Sequence, residues 1–190
     1  MTPPVLTVIA GPNGAGKSTI YKIVQPMGQF VNADDIEALL PPTLSKADRE
    51  KTAARKALET VKGLLSTTQS FVVETTLAGK WPLKLMEDAK AAGYRVELIY
   101  ICLDSPQLSI ERVAFRVRNG GHDIPTEAIL RRYPRSLANL RPASQLADEF
   151  AVIDNSDRKP RWVMKYANGS AGDTDLITPL DQQIYAALFR

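Results

Sequence analysis

Gly11-Pro12-Asn13-Gly14-Ala15-Gly16-Lys17-Ser18, followed by Thr19, joins the apolar run Val5 to Ala10 to a segment of helical composition, Gly16 to Val24. The octapeptide satisfies G-x-x-x-x-G-K-[ST] in full, and it follows a short apolar strand and opens a helix, the context this motif requires. Its residue types have physical reasons. Glycines let successive backbone N–H groups turn inward toward phosphate oxygens, while the following helix aims its N-terminus at the same anion. Lys17 reaches the β- and γ-phosphates of a nucleoside triphosphate. The Ser18 hydroxyl is the Mg²⁺ ligand of such a loop, with Thr19 the weaker candidate. The residues from Gly11 to Thr19 are therefore expected to bind ATP with Mg²⁺, since a plain glycine-rich turn does not account for Lys17.

Outward from this loop, apolar strands alternate with helical segments. Gln29 to Asn32, Ser70 to Glu74, Tyr94 to Leu103 and Phe150 to Asp154 read as further strands. Ser45 to Leu65 reads as a long helix with Ser45 and Asp48 at capping-box spacing. Trp81 to Ala92 is a helix stopped by Gly93. Beyond Asp104-Ser105-Pro106, helical stretches run to Asn119 and from Pro125 to Ala147, with breaks expected at Pro134 and Pro142. Alternation of this kind predicts an α/β, three-layer fold with helices on both faces of a five-stranded parallel sheet, order 2-3-1-4-5. One domain spanning 1–190 is expected, with a helical lid at about 111–141 and a small extended C-terminal extension at about 160–190.

Composition narrows the class. A hydrophobic fraction of 44% and a charged fraction of 24% suit an ordinary globular chain of 190 residues. No apolar run reaches the ~18–20 residues needed to span a bilayer. Met1-Thr2-Pro3-Pro4 lacks the basic start and apolar stretch of a signal peptide, and Cys102 has no second cysteine to pair with, so the reducing cytoplasm is the expected location. A net charge of +3 makes nucleic acid an unexpected partner. The charge is unevenly spread, however. Between Glu111 and Arg141 lie seven arginines, no lysine and three acids. Guanidinium groups suit bidentate phosphate recognition, although a solvated helix face would have the same composition.

The absence of a Leu-Ser-Gly-Gly-Gln element and of an Asn-Lys-x-Asp base reader argues against transporter ATPases and GTPases. A small kinase remains, in which an arginine-bearing lid closes over the phosphates. Such an enzyme needs a group to take the acceptor proton. Val31-Asn32-Ala33-Asp34-Asp35 puts carboxylates just past the second strand, at the edge where open α/β sheets bind ligands. Asp34 is the candidate base, with capping of the next helix as the alternative for it and for Asp35. Glu74 and Thr75, ending the third strand, are candidates for holding a Mg²⁺ water or the acceptor. His122, the sole histidine, is either a lid or substrate contact or part of a structural turn. Asn155 is a candidate for the adenine side. The rival to a kinase is an acceptor-independent ATPase or regulatory nucleotide-binding module.

With the phosphate loop, Asn32-Ala-Asp34-Asp35, Phe71-Val-Val-Glu74-Thr75-Thr76-Leu77 and Arg112-Val-x-x-Arg116-Val-x-x-Gly120-Gly121-His122-Asp-Ile-Pro125 in view, the chain resembles the zeta-toxin family of kinases, over roughly Val5 to Ser156. That resemblance implies transfer of the ATP γ-phosphate to a small-molecule hydroxyl, with UDP-N-acetylglucosamine as the family acceptor and an antitoxin protein as the family partner. Carried over, Lys17 and Ser18 hold phosphate and metal. Asp34, also a candidate for the metal, matches the catalytic aspartate, with Asn32 replacing the first acid of that motif. Arg112 matches the first ATP-phosphate arginine. For the second, Arg116, Arg131 and Arg132 compete, and Arg116 and Arg132 are the expected pair. Kinases of nucleosides, antibiotics or other metabolite alcohols remain alternatives for the acceptor.

Overall fold

Strand β1 (Val5–Ala10) is buried from Leu6 onward and forms hydrogen-bonded ladders on both sides. Such a strand must be apolar on both faces, which the sequence Val-Leu-Thr-Val-Ile-Ala is. The computed structural model describes residues 2–167 and 170–189. In chain order, the elements after β1 are α1 (Lys17–Val24), β2 (Gln29–Val31), α2 (Ala33–Ala38), α3 (Lys46–Ser66), β3 (Phe71–Thr75) and α4 (Trp81–Ala91). Then come β4 (Arg95–Cys102), α5 (Pro106–Arg118), α6 (Thr126–Ala138), α7 (Leu140–Leu146), β5 (Glu149–Asp154), β6 (Arg161–Ala167), β7 (Ser170–Thr174) and α8 (Pro179–Phe189).

The sheet order is β2-β3-β1-β4-β5-β6-β7. Its first five strands are mutually parallel and stand in the expected order. Five is the count of the parallel part alone. The C-terminal extended pair is no separate appendage, because β6 pairs antiparallel with β5 and β7 antiparallel with β6.

Because side chains alternate across a strand, the core divides into two layers. Leu6, Val8 and Ala10 of β1 join Phe71, Val73, Val96, Leu98, Phe150 and Val152 in a large cluster. Covering it are Val61 and Leu64 of α3, Leu85 and Met86 of α4, Leu140 of α7 and Ile184 of α8. Ile9, Val72, Ile99, Ile101 and Ile153 face the other way and pack with Ile20 of α1.

Local signals set the helix ends. The Ser45 hydroxyl accepts from the Asp48 N–H at 3.1 Å, as the capping-box spacing anticipates. Asn139 separates α6 from α7, and Pro134 lies inside α6 without ending it. Helix α5 closes on Gly120 at φ 82°, with Gly120 N–H donating to Val117 O and Gly121 N–H to Arg116 O, both at 2.9 Å. This paired pattern is a Schellman closure, which a left-handed glycine makes cheap.

Candidate active site

The C-terminal ends of β1, β2 and β3 open onto one cavity of about 720 Å³. Its wall brings together Lys17 from the phosphate loop, Asp34 from α2, Glu74 and Thr75 from β3, and Arg116, His122 and Arg132 from the arginine segment. Residues separated by as much as 115 positions thus meet at the sheet edge predicted for a ligand.

Backbone conformation builds the phosphate loop. Gly11, Gly14 and Gly16 have φ of 142°, 75° and 81°. A Cβ on Gly11 would press into the Ile101 carbonyl of β4. Gly16 occupies the N-cap position of α1 and offers no side chain to cap it, leaving the helix start to an anion. Side chains brace the loop from outside. Ser109 Oγ donates to Asn13 O, and Asn155 Nδ2 donates to Ala15 O at 2.8 Å. Asn13 Oδ1 is the one buried side-chain acceptor without a partner among the described residues.

Lys17 is buried, and its ammonium donates to Gly11 O at 3.1 Å and Pro12 O at 3.0 Å, with Glu74 Oε1 3.9 Å away. Burial pulls its pKa below the ordinary value. Glu74 and Asp34 oppose that shift, and Arg116 and Arg132 add to it. An incoming anion would relieve the desolvation that this ammonium bears. Glu74 ties the loop to the end of β2: its Oε2 accepts from Ser18 Oγ at 2.8 Å and from Asn32 Nδ2 at 3.4 Å. Ser18 Oγ and Glu74 Oε2, 2.8 Å apart, are hard oxygen donors of the kind Mg²⁺ takes, and the uncapped helix start with Lys17 suits a triphosphate. The site therefore fits both groups.

Helix α2 is capped by neither Asp34 nor Asp35. Asn32 is the N-cap, its Oδ1 accepting from the Asp34 N–H at 2.9 Å. Asp34 and Asp35 are both exposed, but Asp34 lines the cavity and Asp35, one residue on, does not. Three residues after Asp34, the sequence reading passed over Glu37. It is buried, with Arg49 Nε at 3.7 Å and His122 Nδ1 at 3.8 Å from its carboxylate oxygens. The signal was its helical spacing, since positions i and i+3 share a face.

The arginines separate by geometry. Arg116 donates through Nε and Nη2 to the His122 carbonyl at 3.1 and 2.7 Å. Ile129 is buried on α6, which turns Arg132 to the cavity, while Arg131 is exposed. Arg112 stands beside Gly14 but directs its guanidinium to Ser156 O at 2.9 Å and Asp157 O at 3.4 Å, outside the cavity wall. Thr19 is exposed on α1 and is not part of that wall.

Residues 2–162 match the family profile described as Zeta toxin. The chain belongs to the zeta toxin family. Membership places it among the ATP-dependent P-loop kinases, as the loop and sheet do structurally. An uncharacterized protein of Haemophilus influenzae is 33% identical over 125 residues, covering 65% of this chain and 88% of that protein. Among solved structures, one from the PezAT chromosomal toxin–antitoxin system of Streptococcus pneumoniae shares the fold with TM-score 0.68 and 20% identity, covering 100% of this chain and 80% of the other. The AvrRxo1-ORF1:-ORF2 complex with ATP aligns with TM-score 0.65 and 18% identity, covering 90% of this zeta toxin family chain and 60% of its own. Among the described residues, no helix is long and apolar enough to cross a membrane.

Proposed function

We propose that this zeta toxin family kinase transfers the γ-phosphate of ATP to a hydroxyl group of a small molecule, with Asp34 as the base. The observation that carries the reading is the meeting of Lys17, Asp34, Glu74, Arg116 and Arg132 in one cavity beside the phosphate loop. Lys17 and the loop N–H groups hold the β- and γ-phosphates, the ammonium exchanging its two carbonyl partners for phosphate oxygens. Asp34 orients the acceptor hydroxyl and takes its proton. Arg116 and Arg132 offset charge on the transferred group. Mg²⁺ would be held by Ser18, with Glu74 and Asp34 as further candidate ligands, and when bound would supply positive charge against the anionic triphosphate. Arg112 braces the loop after β5 against α5 and reaches phosphate only on releasing Ser156 and Asp157. Asn155 props the loop through Ala15 O, on the side assigned here to the adenosine.

The test incubates the purified chain with labelled ATP and Mg²⁺, first with UDP-N-acetylglucosamine and then with a metabolite extract. Asp34→Ala is expected to retain ATP binding within about twofold while losing transfer by roughly two to four orders of magnitude. Full transfer by this variant removes Asp34 as the base. ATP hydrolysis at an undiminished rate without any acceptor would make the chain an ATPase instead. Family membership also supports an antitoxin partner: expressing the chain alone should arrest growth and Lys17→Ala should not. Equal growth of the two counts against that partner.

A further inference from the structure

Glu37 of α2 is only 9% exposed, and a carboxylate taken this far out of water needs compensating charge. Two other elements supply it. From α3, Arg49 brings its Nε to 3.7 Å while its Nη1 donates to Leu44 O at 2.9 Å, so this guanidinium is itself fixed. From the turn between α5 and α6, His122 brings Nδ1 to 3.8 Å, ion-pair range for a protonated ring. The Glu37–His122 pair thus ties α2 to the arginine segment. Asp34, one helical turn before Glu37, lies at the same junction. One oxygen of each carboxylate and one ring nitrogen of His122 fall within 4.8 Å of one another.

This tie matters because the backbone does little to fix the turn. His122, Asp123 and Ile124 donate no backbone hydrogen bond among the described residues, whereas Gly120 and Gly121 close α5 just before them. The His122 carbonyl is nevertheless the seat of Arg116, accepting from its Nε at 3.1 Å and its Nη2 at 2.7 Å. Arg116 and Lys17 line the same cavity, and the guanidinium charge helps to lower the Lys17 pKa, which puts it near the phosphate loop. A seat free to drift would let this long side chain disperse, and ordering it again on a phosphate would cost affinity. We propose that Glu37 and His122 are positioning residues, a clasp from α2 that keeps the seat of Arg116 within reach of the γ-phosphate. Neither needs to touch the nucleotide. The clasp rests on the reading of Arg116 as a phosphate contact, and it gives the buried Glu37 and the sole histidine a common task.

The experiment titrates Mg²⁺-ADP and a Mg²⁺-loaded non-hydrolysable ATP analogue into the native chain, Arg116→Ala, His122→Ala, Glu37→Gln and the two double variants that combine the latter with Arg116→Ala. Only the analogue carries a γ-phosphate. Arg116→Ala should weaken the analogue about tenfold and ADP less than about twofold. His122→Ala keeps the carbonyl but loses the tie, and Glu37→Gln keeps the shape but loses the charge. Each should weaken the analogue about fivefold and ADP less than about twofold, with less than about twofold further loss once Arg116 is already alanine. A merely structural role would weaken both nucleotides alike or add its loss to that of Arg116→Ala, and either result overturns the clasp, as does unchanged analogue binding. If Arg116→Ala itself binds both nucleotides as the native chain does, the phosphate role of Arg116 falls and the clasp with it. His122 stands half-buried on a turn, so His122→Ala should fold and decides the matter even where Glu37→Gln does not fold.

Discussion

The phosphate loop and the arginine segment serve one cavity with opposite constructions. The loop is a backbone device: glycines in left-handed conformations, a carbonyl of β4 pressed against Gly11, and a lysine buried on its own loop's carbonyls. The arginine segment is a side-chain device, in which partly exposed guanidinium groups rest on neutral carbonyls of His122, Ser156 and Asp157. A preformed cradle needs little ordering when phosphate arrives. Arginines parked on carbonyls can exchange them for anionic oxygens, which make the stronger hydrogen bond. On the proposed reading, rigidity thus lies where the triphosphate docks, and responsiveness where charge develops during transfer.

The largest effect should separate the two constructions outright. Lys17→Ala is expected to cost turnover about a thousandfold and to weaken ATP binding, as read by steady-state kinetics and nucleotide titration. More than a tenth of the activity remaining would erase the contrast. Two glycines sharpen it. Gly11→Ala meets immovable backbone at a positive φ and should lose about 3 kcal/mol or more in urea denaturation. Gly121→Ala meets the Arg116 Cγ and stands 3.0 Å from the Arg116 carbonyl without a positive φ of its own, so stability should fall by about 1–2 kcal/mol, less than at Gly11, while turnover drops roughly tenfold. Equal stability losses would show that the arginine segment is as rigid as the loop.

The smallest effect concerns pH. Burial alone would raise the Asp181 carboxyl, but hydrogen bonds from Arg161 and from Thr178 bring it below its ordinary 3.8. Because the folded value is the lower one, this carboxylate stabilises the fold above pH 3.8, and the gain is lost as pH falls through the folded value. Arg161 also donates to Asp154, next to Asn155 and the carbonyl that holds Arg112. The denaturation midpoint should therefore decline on acidification below pH 4 in the native chain and less steeply in Asp181→Asn. Parallel declines would remove Asp181 from the pH response.

What the sequence made legible follows the same division. A contiguous motif carries its own geometry, so the loop and the parallel order were readable from Val5 to Ser18 and from strand alternation. The arginine segment was readable only as a composition. Choosing Arg132 over Arg131 depends on which face of α6 carries Ile129, and the parking of Arg112 depends on carbonyls more than forty residues away. Asn32, a departure from the family's acid, gains a reason in the fold. Its oxygen caps α2 while its amide donates to Glu74, and a carboxylate could do only the first. The attachment of β6 to β5 was not legible, since a peripheral hairpin and an added sheet strand share one pattern.

The sheet's margins carry a last consequence. At one side it ends in β2, three residues long, and at the other in β7, five residues long beyond two shifts of register. Neither rim presents a long, flat row of unpaired peptide groups to another molecule. Intermolecular strand addition, the first step toward fibrils, therefore finds little template at either rim.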